Sequence, residues 1–146
     1  MIDEPEPKEF PKINETGKYL HSIDPDLRFL MTHGYSKALE EAGIQIWCPV
    51  LMNTLDPTEI AHLEKEKKRG KEFWWYTCIG PKWHGMNYFT DELATAPRLH
   101  PWMNYLYGVT GILYWQTTNW NRVDHNPWTK TETYPSGNGD GHLIYP

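Results

Sequence analysis

An α/β fold with parallel strands is predicted by three observations on this 146-residue sequence. Short runs rich in β-branched and aromatic residues alternate with segments of helical pattern, the connections between them are short, and the punctuation residues fall where helices should start and stop. Alternation with short connections favours parallel strands joined by right-handed crossovers.

The elements follow in chain order. Phe10 to Ser22 has helical character with Pro11 in its first turn, a position where the missing N–H is no loss, and Asp24-Pro25 marks its end. Leu27 to Thr32 has the composition of a short strand. Ser36 to Ala42 predicts a short helix closed by Gly43, since glycine accepts the left-handed conformation that often ends a helix. Ile44 to Leu51 predicts a second strand, with Pro49 near its end, where a lost N–H is tolerated.

Asp56-Pro57-Thr58-Glu59 is a helix start: an Asp cap, Pro at the first helical position, and Glu placed to complete a capping box. That helix runs to Arg69 and stops at Gly70, with Ile60 and Leu63 as a narrow apolar stripe. Glu72 to Ile79 is the clearest strand, closed by Gly80-Pro81. Pro97 to Tyr107 predicts a last helix, Gly111 to Thr118 a fourth strand, and residues 119–146 a Gly/Pro/Asn-rich tail without clear period. The whole of 1–146 is expected to form a single domain.

Composition excludes several classes of function. No apolar run approaches the roughly 18 residues of a membrane-spanning helix, and the charged start MIDEPEPKEFPK does not have the apolar stretch of a signal peptide. The net charge is -5, and the one basic cluster, Lys65 to Arg69, is interleaved with acids, which argues against a nucleic-acid partner. Cys48 and Cys78 each sit in an apolar run and are expected to be buried free thiols, not a disulfide framework or a metal site. No metal and no cofactor is called for, because phosphate loops, HExxH and nucleophile elbows are all missing from the sequence.

An eight-unit (β/α) barrel takes about 250 residues and seldom fewer than 200, so four β/α units make either half of one or a small open sheet. In such folds functional groups cluster where strands end. After the first strand come His33 and Tyr35, after the second Asn53 and Asp56, around the third Tyr76, Lys82, Trp83 and His84, and around the fourth Trp115, Gln116, Asn119, Trp120 and Asn121. Flat rings with amides and hydroxyls suit a sugar ligand. Aromatic residues are 14% of the chain, and seven of the eight Trp lie from Trp74 onward, so the rings must divide between core and ligand surface.

Carboxylates suited to acid/base work are few. Asp3 and Glu4 stand together in Ile2-Asp3-Glu4-Pro5, at the point where a strand would end. Neighbours in a regular strand face opposite ways, so both can reach one ligand only after the strand has ended, and Pro5 favours such an irregular exit. Read alone, an acidic triplet near a chain start is a solvated end.

A set of motifs in fixed order adds to this: Asp3-Glu4-Pro5, Asp24-Pro25-Asp26-Leu27, Ile46-Trp47-Cys48-Pro49, Trp74-Trp75-Tyr76-Thr77-Cys78-Ile79, Gly111-Ile112-Leu113-Tyr114-Trp115, and Gly139-Asp140-Gly141-His142-Leu143-Ile144-Tyr145-Pro146. Together they resemble the C-terminal half of the glycoside hydrolase family 123 catalytic domain, also described as domain-of-unknown-function family 4091. The resemblance implies the C-terminal half of a (β/α)8 TIM-type barrel, with about four parallel strands and a chain that begins just before or inside the barrel's fourth strand. It also implies hydrolysis of terminal β-N-acetylgalactosaminides or related hexosaminides, with Asp3 and Glu4 as the catalytic pair.

In that chemistry the substrate's own 2-acetamido group attacks the anomeric carbon; Glu4 would be general acid and then base, and Asp3 would orient the acetamide. By analogy with substrate-assisted hexosaminidases, Tyr76 and Trp115 are the candidates for holding and walling the acetamide, and His33, Asn53 and Asn119 are further candidates for substrate contact. An aromatic residue on a barrel strand is otherwise core. Asp140 is read as a turn residue, since its segment does not have cation-ligand spacing. The partner implied is a carbohydrate, an N-acetylhexosamine glycan, and family membership implies a secreted or periplasmic setting. A second reading is a catalytically inactive carbohydrate-binding or scaffold fragment, self-associating through sheet edges that a missing half would expose.

Overall fold

The computed structural model describes residues 2–51, 56–80, 86–119, 126–133 and 137–144. The fold is α/β: four parallel strands in the order β1-β2-β3-β4 alternate with helices. The elements are a 3-10 turn at Pro7–Glu9, α1 (Phe10–Ile23), β1 (Leu30–Met31), a 3-10 helix at Lys37–Ala42, β2 (Ile46–Trp47), α2 (Pro57–Lys68), β3 (Glu72–Thr77), α3 (Ala96–Tyr107) and β4 (Gly111–Tyr114). Among the described residues no helix is long and apolar enough to cross a membrane.

The chain divides into two compact units, Met1–Tyr76 with Gly108–Ile112, and Thr77–Tyr107 with Leu113–Pro146. In the first unit Leu30 pairs with Ile46 and Met31 with Trp47, while Ile46 pairs with Glu72 and Trp47 with Phe73. Sequential neighbours in parallel register need crossover connections, supplied by the Lys37–Ala42 3-10 helix between β1 and β2 and by α2 between β2 and β3. Ile2 extends the ladder by one position: its N–H donates to Leu30 O at 3.1 Å and its carbonyl accepts from Thr32 N at 3.1 Å, making a parallel bridge to Met31.

The strands are shorter than their apolar runs. Leu27 to Phe29 precede the ladder, and Phe29 N–H is satisfied by the Gln45 side chain at 2.7 Å instead of by a strand neighbour. β2 ends at Trp47 because Pro49 carries no N–H; beyond it Pro49 O accepts from Tyr76 N at 3.1 Å and Val50 makes a single bridge to Tyr76. The short helix expected from Ser36 to Ala42 is a 3-10 helix, Lys37–Ala42, and Gly43 closes it at φ 66 as expected.

α1 buries Phe10, Ile13 and Gly17, three and four residues apart on one face. Gly17 is where the backbones come together: a Cβ there would lie 2.2 Å from Ala42 O. α2 begins as its sequence requires, with Asp56 Oδ1 accepting from Thr58 N at 2.8 Å and Glu59 N at 3.3 Å. Met31, Leu39, Trp47, Cys48, Leu51, Leu63 and Trp75 are all buried to 2% exposure or less, and each large apolar side chain so buried contributes about 1.5–3 kcal/mol. On β3, Phe73 and Trp75 share one face, with their rings 5.9 Å apart edge to face, and Trp74 and Tyr76 point the other way. Gly111 is forced by Trp74, whose ring would lie 2.3 Å from a Cβ at that position.

The second unit contains α3 and the chain from Leu113 onward. The tail is folded onto its neighbours: Thr118 bridges His142 antiparallel, Leu143 N donates to Thr117 O at 3.0 Å, and Thr90 N donates to Asn138 O at 3.0 Å. His100 and Asn87 are its buried polar residues on the α3 side, with Tyr88 Oη 3.0 Å from His100 Nδ1.

Candidate functional site

The site is built where the ladder ends. After the Ile2 bridge the chain turns sharply, and Glu4 takes φ 39, the one non-glycine among the described residues in the left-handed region. A residue with a Cβ loses about 1–2 kcal/mol there, so the surroundings must over-determine the conformation. They do so through Thr32, at the end of β1. Its hydroxyl oxygen accepts from Glu4 N–H at 2.6 Å and donates to Asp3 Oδ1 at 2.8 Å.

Glu4 is exposed, and its Oε1 accepts the phenolic hydrogen of Tyr76, a buried ring from the end of β3. Glu4, Thr32, His33, Tyr35, Glu59 and Tyr76 line a cavity of about 360 Å3 in the first unit, together with Pro5, Gly34, Pro49 and Val50. His33 Nδ1 lies 2.7 Å from Gly34 O, and the imidazole packs edge to face against Phe10 at 5.5 Å. Tyr35 turns its hydroxyl to Glu40 Oε1 at 2.5 Å; that donor holds the Glu40 carboxyl below its ordinary pKa, while the phenol is raised above its own.

Of the residues expected from the sequence, Glu4, Tyr76 and His33 therefore meet in one cavity. Asp3 is exposed and is not a lining residue, but is tied to the cavity wall through Thr32. Asn53, with Lys82, Trp83, His84, Trp120 and Asn121, lies outside the described residues. Trp115 and Asn119 belong to the second unit. There Trp115 is 41% exposed, its Nε1–H donating to Asp140 Oδ1 at 3.0 Å, whereas Asn119 is buried and its N–H donates to Gly141 O at 2.9 Å.

Two residues of the site escape a reading by sequence. Thr32 sits beside His33, but nothing local in Met31-Thr32-His33 announces a partner near the chain start. Glu59 has the spacing of a capping-box residue, and its Oε1 accepts from Tyr35 N at 2.9 Å, fastening the loop after β1 to the first turn of α2. The only nearby signal is Gly34, where a Cβ would lie 2.5 Å from that Glu59 oxygen.

A buried hydroxyl bonded to one carboxylate and to the backbone amide of the next residue, whose own carboxylate is bonded to a phenol lining a cavity, leaves an acid that can bind a polar ligand and exchange a proton with it. The model of the glycoside hydrolase 123 catalytic domain matches residues 1–146, the whole chain. The chain belongs to the glycoside hydrolase 123 catalytic-domain family. No curated protein matches it. Membership in glycoside hydrolase 123 makes a carbohydrate the substrate class.

Proposed function

We propose that the chain carries the acidic pair of a substrate-assisted glycosidase acting on terminal β-N-acetylgalactosaminides or related hexosaminides. The observation that carries this reading is the Glu4 carboxylate, held in a left-handed backbone at the cavity and bonded to Tyr76. In a glycoside hydrolase 123 domain, an acid so fixed is the natural proton donor to the leaving oxygen.

In the first step the acetamide oxygen forms a bond to the anomeric carbon as the glycosidic C–O bond breaks, and Glu4 gives its proton to the departing oxygen. Asp3 accepts a hydrogen bond from the acetamide N–H, whose positive charge grows as the oxazoline ring closes. In the second step the Glu4 carboxylate takes a proton from water, the water oxygen bonds to the anomeric carbon, and the ring opens to restore the acetamide. The Tyr76 hydroxyl is given to Glu4, and an arriving acetamide oxygen competes for that donor. His33 is a wall contact in the same cavity, and Trp115 and Asn119 are retained as sugar contacts on chemical grounds alone, as is Asn53. The parallel bridge from Ile2 to Met31 supports a further strand position beside β1, as the half-barrel reading requires.

The test is turnover of an aryl β-N-acetylgalactosaminide beside the matching aryl β-galactoside, which has no acetamide. The expected result is hydrolysis of the first alone, abolished in Glu4→Gln. Sugar binding without turnover in the unaltered chain would sink the enzyme in favour of a catalytically silent binding module, and equal hydrolysis of both glycosides would sink substrate assistance.

A further inference from the structure

Asp3 and Glu4 are consecutive, and a regular continuation past Ile2 would send them to opposite faces. The structure contains a device against this. Thr32 is 3% exposed and directly follows β1, with its own N–H donating to Ile2 O at 3.1 Å, so the ladder and not the side chain fixes its place. Its hydroxyl is then available to the acidic pair.

A hydroxyl has one proton to give and two lone pairs to receive with. Two acceptors compete for the Thr32 proton, Asp3 Oδ1 at 2.8 Å and Ile2 O at 3.3 Å, and the shorter bond to the carboxylate wins. A lone pair takes Glu4 N–H at 2.6 Å. The result is a chain of two polarising bonds, amide to hydroxyl to carboxylate, part-buried through the Thr32 hydroxyl they share.

We propose that Thr32 is the positioning residue of the acidic pair. Its hydroxyl holds the Glu4 backbone in the left-handed turn that aims the side chain at Tyr76, and it fixes Asp3 through Oδ1, leaving Oδ2 for a ligand's N–H. The consequence for turnover rests on the glycosidase reading; the hydrogen-bond relay does not. Thr32 touches both acids and acts through them. Apart from Thr32, nothing in α1, α2 or the loop after β1 bonds to the Glu4 amide or to Asp3 among the described residues.

The experiment pairs two readouts on the full chain, in unaltered form and as Thr32→Val and Thr32→Ser. Valine keeps the branched shape and the ladder N–H but deletes the hydroxyl, and serine restores it. By NMR hydrogen exchange, the Glu4 amide is expected to be protected in the unaltered chain and in Thr32→Ser, and to exchange about tenfold faster or more in Thr32→Val, with core amides unchanged. Turnover of the aryl β-N-acetylgalactosaminide is expected to fall about 100-fold in kcat in Thr32→Val and to return to within a few-fold in Thr32→Ser, because a small displacement of an acid is enough for such a loss.

A freely exchanging Glu4 amide in the unaltered chain, unchanged protection in Thr32→Val, or a Thr32→Ser variant as slow as Thr32→Val would each overturn the proposal. If Thr32→Val does not fold, the unaltered chain and Thr32→Ser still decide it. Absence of turnover in the unaltered chain together with the expected exchange pattern would reject the glycosidase reading and uphold the relay.

Discussion

Tyr76 and Glu4, separated by 72 positions, meet side chain to side chain at the cavity, the phenol donating to the carboxylate. A hydrogen bond to a charged acceptor is worth about 1.5–3 kcal/mol, enough to fix the rotamer of an exposed acid. Tyr76→Phe leaves the buried ring in place and removes only the donor. Under the glycosidase reading, kcat/KM on an aryl β-N-acetylgalactosaminide should fall about tenfold to hundredfold, since 1.4 kcal/mol is a factor of ten. The thermal midpoint should move by no more than a few degrees. A Tyr76→Phe chain as active as the unaltered one would remove Tyr76 from the site.

Gly17 makes a test of packing whose sign opposes helix propensity. Alanine in a helix interior is favoured over glycine by about 1 kcal/mol. Here the added methyl would lie 2.2 Å from Ala42 O and 2.8 Å from Ala42 Cα, backbone atoms that cannot swing away. Gly17→Ala should therefore destabilise the first unit by about 1–3 kcal/mol, read from the urea midpoint, because overpacking prevails. Stabilisation would mean that α1 and the Lys37–Ala42 turn do not lie in contact.

The local grammar of the sequence locates elements well and long-range partners poorly, for a physical reason. Asp56-Pro57 marks a cap because the donors it satisfies, Thr58 N and Glu59 N, are two and three residues away. Gly43 marks a stop because a left-handed φ depends on that residue alone. Strand lengths are less legible: Leu27 and Val50 have strand composition, yet whether they join the ladder depends on Gln45, Pro49 and Tyr76. The site is the least legible part. Asp3 and Glu4 are visible as acids, but what makes them a unit is Thr32, 29 and 28 positions on, a contact set by sheet register. Cys78 was expected to be buried with Cys48 on the strength of its apolar run; it is half-buried, since β3 ends at Thr77.

Cys48 and Cys78 should differ in reactivity. Cys48 is fully buried, and burial pushes its thiol up to about 12, so the reactive thiolate is scarce at neutral pH. Iodoacetamide at pH 8 followed by peptide mass analysis should label Cys78 in the native chain and label Cys48 only after denaturation. Labelling of Cys48 at the rate of Cys78 would contradict the packing around β2.

His100 should make stability depend on pH. Buried to 1% exposure beside Tyr88, it has its pKa lowered from 6.5 by desolvation of the charged form. The unfolded chain then binds more protons than the folded one below 6.5, so the stability from neutral His100 is fully present above that value. It declines as pH falls through the lowered folded pKa, with a slope of at most about 1.4 kcal/mol per pH unit for one proton. Urea unfolding from pH 7.5 to 5 should be less steep in pH for His100→Gln than for the unaltered chain. Equal slopes would show that burial does not shift His100.

Asp140 is more than a turn residue. It is 1% exposed, and Oδ1 accepts from Tyr114 Oη at 2.7 Å and from Trp115 Nε1 at 3.0 Å, while Tyr114 Oη accepts from Gly141 N at 2.9 Å. Gly141, at φ 74, completes the seat, for a Cβ there would lie 2.8 Å from Trp115 Cζ2. The Gly139-Asp140-Gly141 turn thus holds the indole by its N–H and its ring edge, within the second unit. Asp140→Ala strands two donors and should destabilise by about 1–3 kcal/mol or more, since each unsatisfied buried group carries its own desolvation cost. Asp140→Asn keeps a carbonyl acceptor and should lose less than half as much. If Trp115 contacts sugar, N-acetylgalactosamine binding followed by tryptophan fluorescence should weaken in Asp140→Ala and recover in Asp140→Asn, because a ring free to rotate presents no fixed platform. Unchanged binding with lowered stability would confine Asp140 and Trp115 to packing.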